Sequence, residues 1–218
     1  MYDTPQFENR AAAGRVLAEA IGREMPEDPV VLALPRGGVP VAFEIAVFLQ
    51  APLDLLLVRK IGAPGYPEFA VGAVVDGKNP QTVVNEEGLR YSGASLLYVE
   101  EEAARQLAEI ERRRKAYLGG REPIDLKGRN AILVDDGIAT GTTVRAGLKA
   151  LRRIGVKSAL LAVPVAPREV LESMKDDVDR IVCPYRLESL RAVGYHYIDF
   201  AQTTDREVID LLSRSREA

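Results

Sequence analysis

Between residues 132 and 143 the chain reads Ile132-Leu133-Val134-Asp135-Asp136-Gly137-Ile138-Ala139-Thr140-Gly141-Thr142-Thr143: two carboxylates, then a turn of small and hydroxylated residues. An apolar, β-rich run precedes the turn and a helical pattern follows it, so the turn falls where a strand's carboxyl end meets a helix N-terminus. Unpaired main-chain N–H groups and the positive end of the helix dipole converge there, and together they can cradle a dianion without a lysine. Thr140, Thr142 and Thr143 add hydroxyl donors, while Gly137 and Gly141 allow close backbone approach. Asp135 and Asp136 would repel that dianion on contact. Their chemistry suits neutral hydroxyls a few ångströms away, such as a sugar diol. A diol site beside a phosphate cradle describes a ribose 5-phosphate bound at the carboxyl edge of a parallel sheet. A plain strand-to-helix turn capped by threonine is the alternative, and it leaves the acidic pair without a task.

A second loop, Pro35-Arg36-Gly37-Gly38, also follows a buried run and opens a helix, so its N–H groups and guanidinium can meet another anion. By itself it reads equally as a glycine turn capping the helix. Other phosphate chemistries fit less well. Gly137 and Gly141 are too close for a P-loop and no lysine follows them. A receiver domain also places acids after a strand, but it has no use for the Thr-Gly-Thr turn. Cys183 and His196 are the only residues of their types, which excludes an intramolecular disulfide and a histidine-rich metal centre, and no plausible Ser-His-Asp or Cys-His set stands out around them. Cys183 sits in a strand-like run and reads as an inert core residue.

The elements that must position these residues follow from periodicity. Ala12, Ala13, Val16, Leu17, Ala20 and Ile21 mark an amphipathic helix that stops before Pro26. Val30–Leu34 reads as a strand covered on both faces, Val39–Leu49 as a helix and Leu53–Val58 as a second buried strand, which makes a βαβ unit. Arg59-Lys60 closes that strand, a loop with Gly62, Pro64, Gly65 and Pro67 follows, and Phe69–Val75 and Thr82–Val84 are further strands. Leu97, Ala103, Ala104, Leu107, Ile110 and Tyr117 form the stripe of a long helix. Its outer face pairs Glu101 with Arg105, Glu109 with Arg113 and Glu111 with Lys115. The run Arg112–Lys115 reads as part of that solvated face, or else as an anion contact. Ala131–Val134, a helix with Val144, Leu148, Leu151 and Ile154 inward, then strands at Ala159–Val165 and Arg180–Cys183 continue the α/β pattern. Pro167 suits the first turn of a short helix. Thr204-Asp205-Arg206-Glu207 is a capping box for a C-terminal helix burying Val208, Ile209, Leu211 and Leu212.

The string from Ile132 to Thr143 resembles the phosphoribosyl pyrophosphate (PRPP) signature of type I phosphoribosyltransferases. The resemblance implies an α/β fold with a central, mainly parallel sheet flanked by helices, a small C-terminal hood region and an inserted helix. It implies one domain over residues 1–218, with a core at about 30–200 and a helical elaboration at about 76–127 that departs from the minimal family core. On the same resemblance, Asp135 and Asp136 are the catalytic carboxylates that hold the ribose. Gly137, Ala139, Thr140, Gly141, Thr142 and Thr143 hold the 5′-phosphate. Arg36, Gly37 and Gly38 form the pyrophosphate loop, with a cis peptide expected at Arg36–Gly37. Arg59-Lys60 resembles the basic dipeptide from which a mobile catalytic loop springs in adenine-type relatives, which assigns Lys60 to pyrophosphate and makes Ile61–Pro67 the candidate closing loop. The hood would be Pro184–Gln202, where Tyr185, Tyr195, His196, Tyr197 and Phe200 either stack on a base or pack the C-terminal helix; Tyr195 and Tyr197 are the candidate base contacts. The implied reaction transfers a 5-phosphoribosyl group from PRPP to a nitrogenous, nucleobase-like acceptor with release of pyrophosphate, assisted by Mg²⁺, in nucleotide metabolism. A non-catalytic PRPP or nucleotide sensor is the alternative, and a homodimer is the family's common assembly.

Composition narrows the partners. The 218 residues carry 29 basic and 32 acidic side chains, a net charge of −3, so no global positive field favours nucleic acid. The start Met1-Tyr2-Asp3-Thr4-Pro5 lacks the features of a secretory signal, and no run is long and apolar enough for a membrane span. A single cysteine suits a reducing compartment, and the expectation is a cytoplasmic protein away from membranes.

Overall fold

Apolar runs without alternation form the central sheet, because both of its faces are covered. The computed structural model describes residues 6–22 and 26–216. Met1–Pro5, used in the reading of the N-terminus, lie outside the described residues. In chain order the first elements are α1 (Arg10–Gly22), β1 (Pro29–Ala33), α2 (Gly38–Leu49) and β2 (Leu53–Leu55). Next come β3 (Val58–Ala63), β4 (Tyr66–Val75), β5 (Gln81–Val84), α3 (Glu86–Ser92) and α4 (Leu96–Leu118). The chain continues with β6 (Asn130–Val134), α5 (Thr142–Ile154), β7 (Ser158–Ala162), β8 (Val165–Pro167), α6 (Arg168–Glu172), β9 (Arg180–Val182), β10 (Tyr185–Leu187) and α7 (Asp205–Arg214).

The main sheet has the order β2-β1-β6-β7-β9 and every pairing in it is parallel. Strand residues alternate between two apolar layers. Val31, Ala33, Ile132 and Val134 meet Leu17 of α1, Ile45 of α2 and Val208 of α7, whereas Leu32, Leu34 and Leu133 meet Leu148 and Leu151 of α5. The order runs outward in opposite directions from β1 and β6, so the crevice between their carboxyl ends is the topological switch point of the sheet. The Pro35–Gly38 loop leaves β1 there and the Asp135–Gly141 loop leaves β6 there, which brings together two segments about a hundred residues apart.

The expected α/β architecture is present, with three departures. The run Leu53–Val58 is not one strand: β2 stops at Leu55, Asp76 Oδ1 accepts the Leu57 N–H at 2.7 Å, and the chain turns out of the sheet. Residues 58–84 then form a separate antiparallel sheet, β3-β4-β5, so Ile61–Pro67 is a β-hairpin with irregular register and not an open loop. The run Ala159–Val165 is also split. β7 ends at Ala162, Pro164 lacks an N–H for the ladder, and β8 pairs with β10 in a two-stranded ribbon.

The long helix is present as α4, capped by the Ser95 side chain on the Tyr98 N–H. Its expected solvated basic run is corrected at one position. Arg114 is buried and bridges Asp54, at 2.8 Å, and Asp76, at 2.6 Å, with Arg121 completing the cluster on Asp54. It ties α4 to both sheets, because Asp54 lies on the edge strand β2 of the main sheet and Asp76 directly follows β4 of the antiparallel one. Of the expected outer pairs only Glu109–Arg113 forms; Arg105 pairs with Glu102 and Arg112 also takes Glu109. The capping box of α7 is complete.

Candidate active site

β6 delivers Asp135 and Asp136 to the switch point, and the turn behind them needs glycine at two positions. Gly137 has φ +155° and Gly141 φ +76°, and a Cβ on Gly141 would lie 2.2 Å from Met174 Cε. Gly141 occupies the N-cap position of α5 with no side-chain cap, and the first helical bond is Arg145 N–H to Gly141 O at 2.8 Å. The N–H groups of the first turn therefore have no acceptor within the helix, while Ala139, Thr140, Thr142 and Thr143 are exposed around them. An anion at this point meets donors and a favourable dipole.

Each carboxylate has one oxygen committed inside the protein. Asp135 Oδ1 accepts the Asp136 N–H at 2.9 Å, and Asp136 Oδ2 accepts Arg10 Nε at 2.8 Å. Burial pushes the Asp135 carboxyl well above its ordinary range, with the neighbouring Asp136 adding to the shift. Burial also raises Asp136, against the opposing pull of Arg10. The pair therefore retains a proton more readily than free carboxylates do, and Arg10 biases that proton toward Asp135.

The second loop presses on this pair. Gly37 has φ −59° and ψ −34°, a conformation open to any residue, so its lack of a side chain answers to space. A Cβ there would lie 2.0 Å from Asp136 Oδ2, and one on Gly38 would lie 2.7 Å from Val134 O and 3.1 Å from Asp135 Cα. The loop is held by Gly38 N–H to Leu34 O at 3.0 Å and Val39 N–H to Arg36 O at 3.1 Å. Its cis peptide is Pro35–Arg36, one bond before the expected Arg36–Gly37. Arg36 reaches Asp205 of α7 at 3.4 Å, with both side chains open to solvent.

Of the basic dipeptide on β3, it is Arg59 that shares a small pocket with Pro35, Arg113 and Thr143; its Nε donates to Gln106 at 2.8 Å. Adjacent residues of a strand face opposite ways. Lys60, the residue singled out from sequence for pyrophosphate, pairs with Glu68 across the hairpin at 3.0 Å.

The hood region divides its aromatics. Tyr195 is 62% exposed. Tyr197 is corrected as a base contact: it is buried, stacks on Phe200 with centroids 4.9 Å apart, and tilts against Phe7 at 5.5 Å. Its hydroxyl donates to the main-chain oxygen of Asp136 at 2.6 Å, so it braces the acidic loop from behind. His196 is buried in a short 3₁₀ turn, and Tyr185 packs edge-on against Phe7. Burial pushes the Cys183 thiol up to about 11, in keeping with an inert core residue.

Arg10 is a side chain in contact with the acidic pair that the sequence reading did not find. It lies on α1, 126 residues from its partner, and only its place beside a helix N-terminus distinguishes it from a surface arginine. Among the described residues no group of three or more His, Cys, Asp or Glu gathers to hold a metal ion. Each of the two acids keeps one oxygen without a hydrogen-bond partner among the described residues, which fits a divalent cation held mainly by a ligand's own phosphate and sugar oxygens.

The family model for the phosphoribosyl transferase domain matches residues 6–189. The "Putative phosphoribosyl transferase Rv0571c" of Mycobacterium tuberculosis is 42% identical over 209 residues, which cover 96% of this chain and 47% of that protein. The chain thus spans about half the length of that curated relative. The crystal structure of TT1426 from Thermus thermophilus is 43% identical with a TM-score of 0.84, covering 96% of this chain and 98% of the other. AQ2163 from Aquifex aeolicus, at 13% identity and a TM-score of 0.52 over 97% of this chain and 88% of its own, shares the fold.

Proposed function

Because the chain belongs to the type I phosphoribosyl transferase family, we propose that it transfers a 5-phosphoribosyl group from PRPP to a nitrogenous acceptor and releases pyrophosphate. One observation carries the reading. Two adjacent carboxylates each keep one oxygen free of partners among the described residues, on the loop that leads to an uncapped helix N-terminus, which suits a sugar diol beside a monoester.

In this reading the first turn of α5, with Thr140, Thr142 and Thr143, takes the 5′-phosphate. The open oxygens of Asp135 and Asp136 accept the ribose hydroxyls. Arg36, the Gly37 amide and Arg59 face the pyrophosphate, whose anchoring by cations is needed because it departs with the bonding electrons, while the Gly38 N–H is spent on Leu34 O and Gly38 contributes only its lack of a side chain. Lys60, tied to Glu68, could join them only by releasing that partner. The C1–O bond to pyrophosphate breaks, a C1–N bond to the acceptor forms, and the acceptor nitrogen loses its proton. Magnesium, when bound with the substrate, would neutralise charge on the pyrophosphate. The carboxylates favour the positive charge that develops on the sugar ring while C1 is between partners.

The diversion of Lys60 and the packing of β3 and β4 on α4 and α5 also suit the sensor reading, in which PRPP binds without turnover. Incubation with PRPP, Mg²⁺ and a panel of purine and pyrimidine bases separates the two. Pyrophosphate release that depends on a base supports the transferase, whereas tight PRPP binding with no release under any base supports the sensor. The same panel identifies the acceptor.

A further inference from the structure

We propose that Arg10 is a positioning residue for the ribose: by holding one oxygen of Asp136 it turns the other toward the sugar hydroxyls, and so it sets the preference for phosphoribosyl ligands over bare phosphate. The inference rests on the ribose-binding reading of the acidic pair and assigns a role outside both loops.

The contact is built into the protein and is not an incidental surface ion pair. Arg10 and Asp136 side chains are only 12% and 15% exposed, with Nε and Oδ2 2.8 Å apart. Arg10 also donates through Nη1 to the main-chain oxygen of Ala201 at 2.8 Å, and its guanidinium carbon lies 3.8 Å from the centroid of Phe200. Phe200 stacks on Tyr197, and Tyr197 donates to the main-chain oxygen of Asp136. The four residues close a ring: Arg10 on Phe200, Phe200 on Tyr197, Tyr197 on the Asp136 backbone, and the Asp136 carboxylate on Arg10. Asp136 is therefore held at its carbonyl, at its amide through Asp135, and at one carboxylate oxygen.

Those restraints leave Oδ1 as the oxygen without a partner among the described residues, and the rotamer of Asp136 fixes where it points. An arginine suits this place because its planar fork can serve a carboxylate and a carbonyl at once while stacking on an aromatic face; an ammonium cannot do all three. The ring also ties α1 to residues 197–201, so the sugar site and the hood region are set by one side chain. Without Arg10 the carboxylate would be free to rotate away, while the phosphate cradle at α5, built from other residues, would stay intact.

Calorimetry of wild type, Arg10→Gln and Arg10→Lys with two probes, ribose 5-phosphate and inorganic phosphate, tests this. The wild type should bind ribose 5-phosphate more tightly than phosphate. Arg10→Gln should lose about tenfold or more in ribose 5-phosphate affinity, with phosphate affinity unchanged, because a charge-assisted bond that orients the acceptor is gone. Arg10→Lys should recover part of the loss. Full retention of the preference in Arg10→Gln overturns the role of Arg10 while leaving the family reading in place. Equal loss of both ligands overturns it too, since that marks a general structural defect. A wild type with no preference for ribose 5-phosphate overturns the underlying ribose assignment, and the role of Arg10 with it.

Discussion

Gly37→Ala is a one-methyl perturbation whose effect follows from distances. The backbone at Gly37 is ordinary helical, so alanine costs nothing in conformation and even reduces the freedom of the unfolded chain. The new Cβ, however, would lie 2.0 Å from Asp136 Oδ2 and 2.6 Å from its Cγ, where real contacts shorter than 3.0 Å essentially do not occur. The carboxylate must retreat by about 1 Å or more, beyond what close packing absorbs without a rotamer change. Arg10 cannot follow, because the Ala201 oxygen and the Phe200 ring hold its guanidinium. With the carboxylate displaced, the expected loss on binding is its charge-assisted hydrogen bond to a ribose hydroxyl, about 1.5–3 kcal/mol, or roughly ten- to a hundredfold in affinity for a ribose phosphate. Titration calorimetry with ribose 5-phosphate and with inorganic phosphate reads it out: the first should weaken by that factor and the second should not change. A Gly37→Ala protein that binds ribose 5-phosphate like wild type would show that the loop does not constrain the carboxylate.

Other outcomes follow from the scaffold. Arg114→Met should destabilise the protein by about 3–5 kcal/mol in urea unfolding, because it strands the buried Asp76 without its cation and leaves Asp54 with Arg121 alone. Burial holds the Asp76 carboxyl up at about 6 against the pull of Arg114, above its ordinary value of 3.8. Between those values the folded state keeps a proton that the unfolded chain has lost. Stability should therefore fall as pH rises through that window, and Asp76→Asn should flatten this part of the stability–pH curve. Thr204→Ala removes half of the capping box of α7 and should cost about 0.5–2 kcal/mol by the same unfolding assay.

What the sequence made legible was local. The buried strands β1 and β6, the glycine turn after Asp136 and the capping box at Thr204 are written in neighbouring residues, and the structure places them as read. Contacts between distant residues were not legible. Arg10 meets Asp136 across 126 positions, and nothing in the alanine-rich pattern of α1 marks that arginine. Arg114 did carry a signal: it lies four residues after Ile110 and three before Tyr117, on the buried stripe of α4, so helical spacing places it inward. Asp54, an acid inside an otherwise apolar run, likewise called for a buried cation. The hairpin at Ile61–Pro67 was hidden because its glycines and prolines read as a loop while the long β4 strand sustains the pairing. Tyr197 illustrates a further limit, since an aromatic that could stack on a base and one that braces a loop have the same sequence signature.

The central claim is that the loop after β6 grips a monoester while Asp135 and Asp136 hold the adjoining sugar. Calorimetry with PRPP and Mg²⁺, run on wild type and on the double variant Asp135→Asn, Asp136→Asn, tests it most directly. The account predicts saturable heat for the wild type and much weaker binding by the variant, with the fold retained because both side chains stand on the loop that follows β6 and not in the apolar core. Absence of heat from the wild type with PRPP and with every nucleoside monophosphate, or unchanged affinity in the double variant, would contradict it.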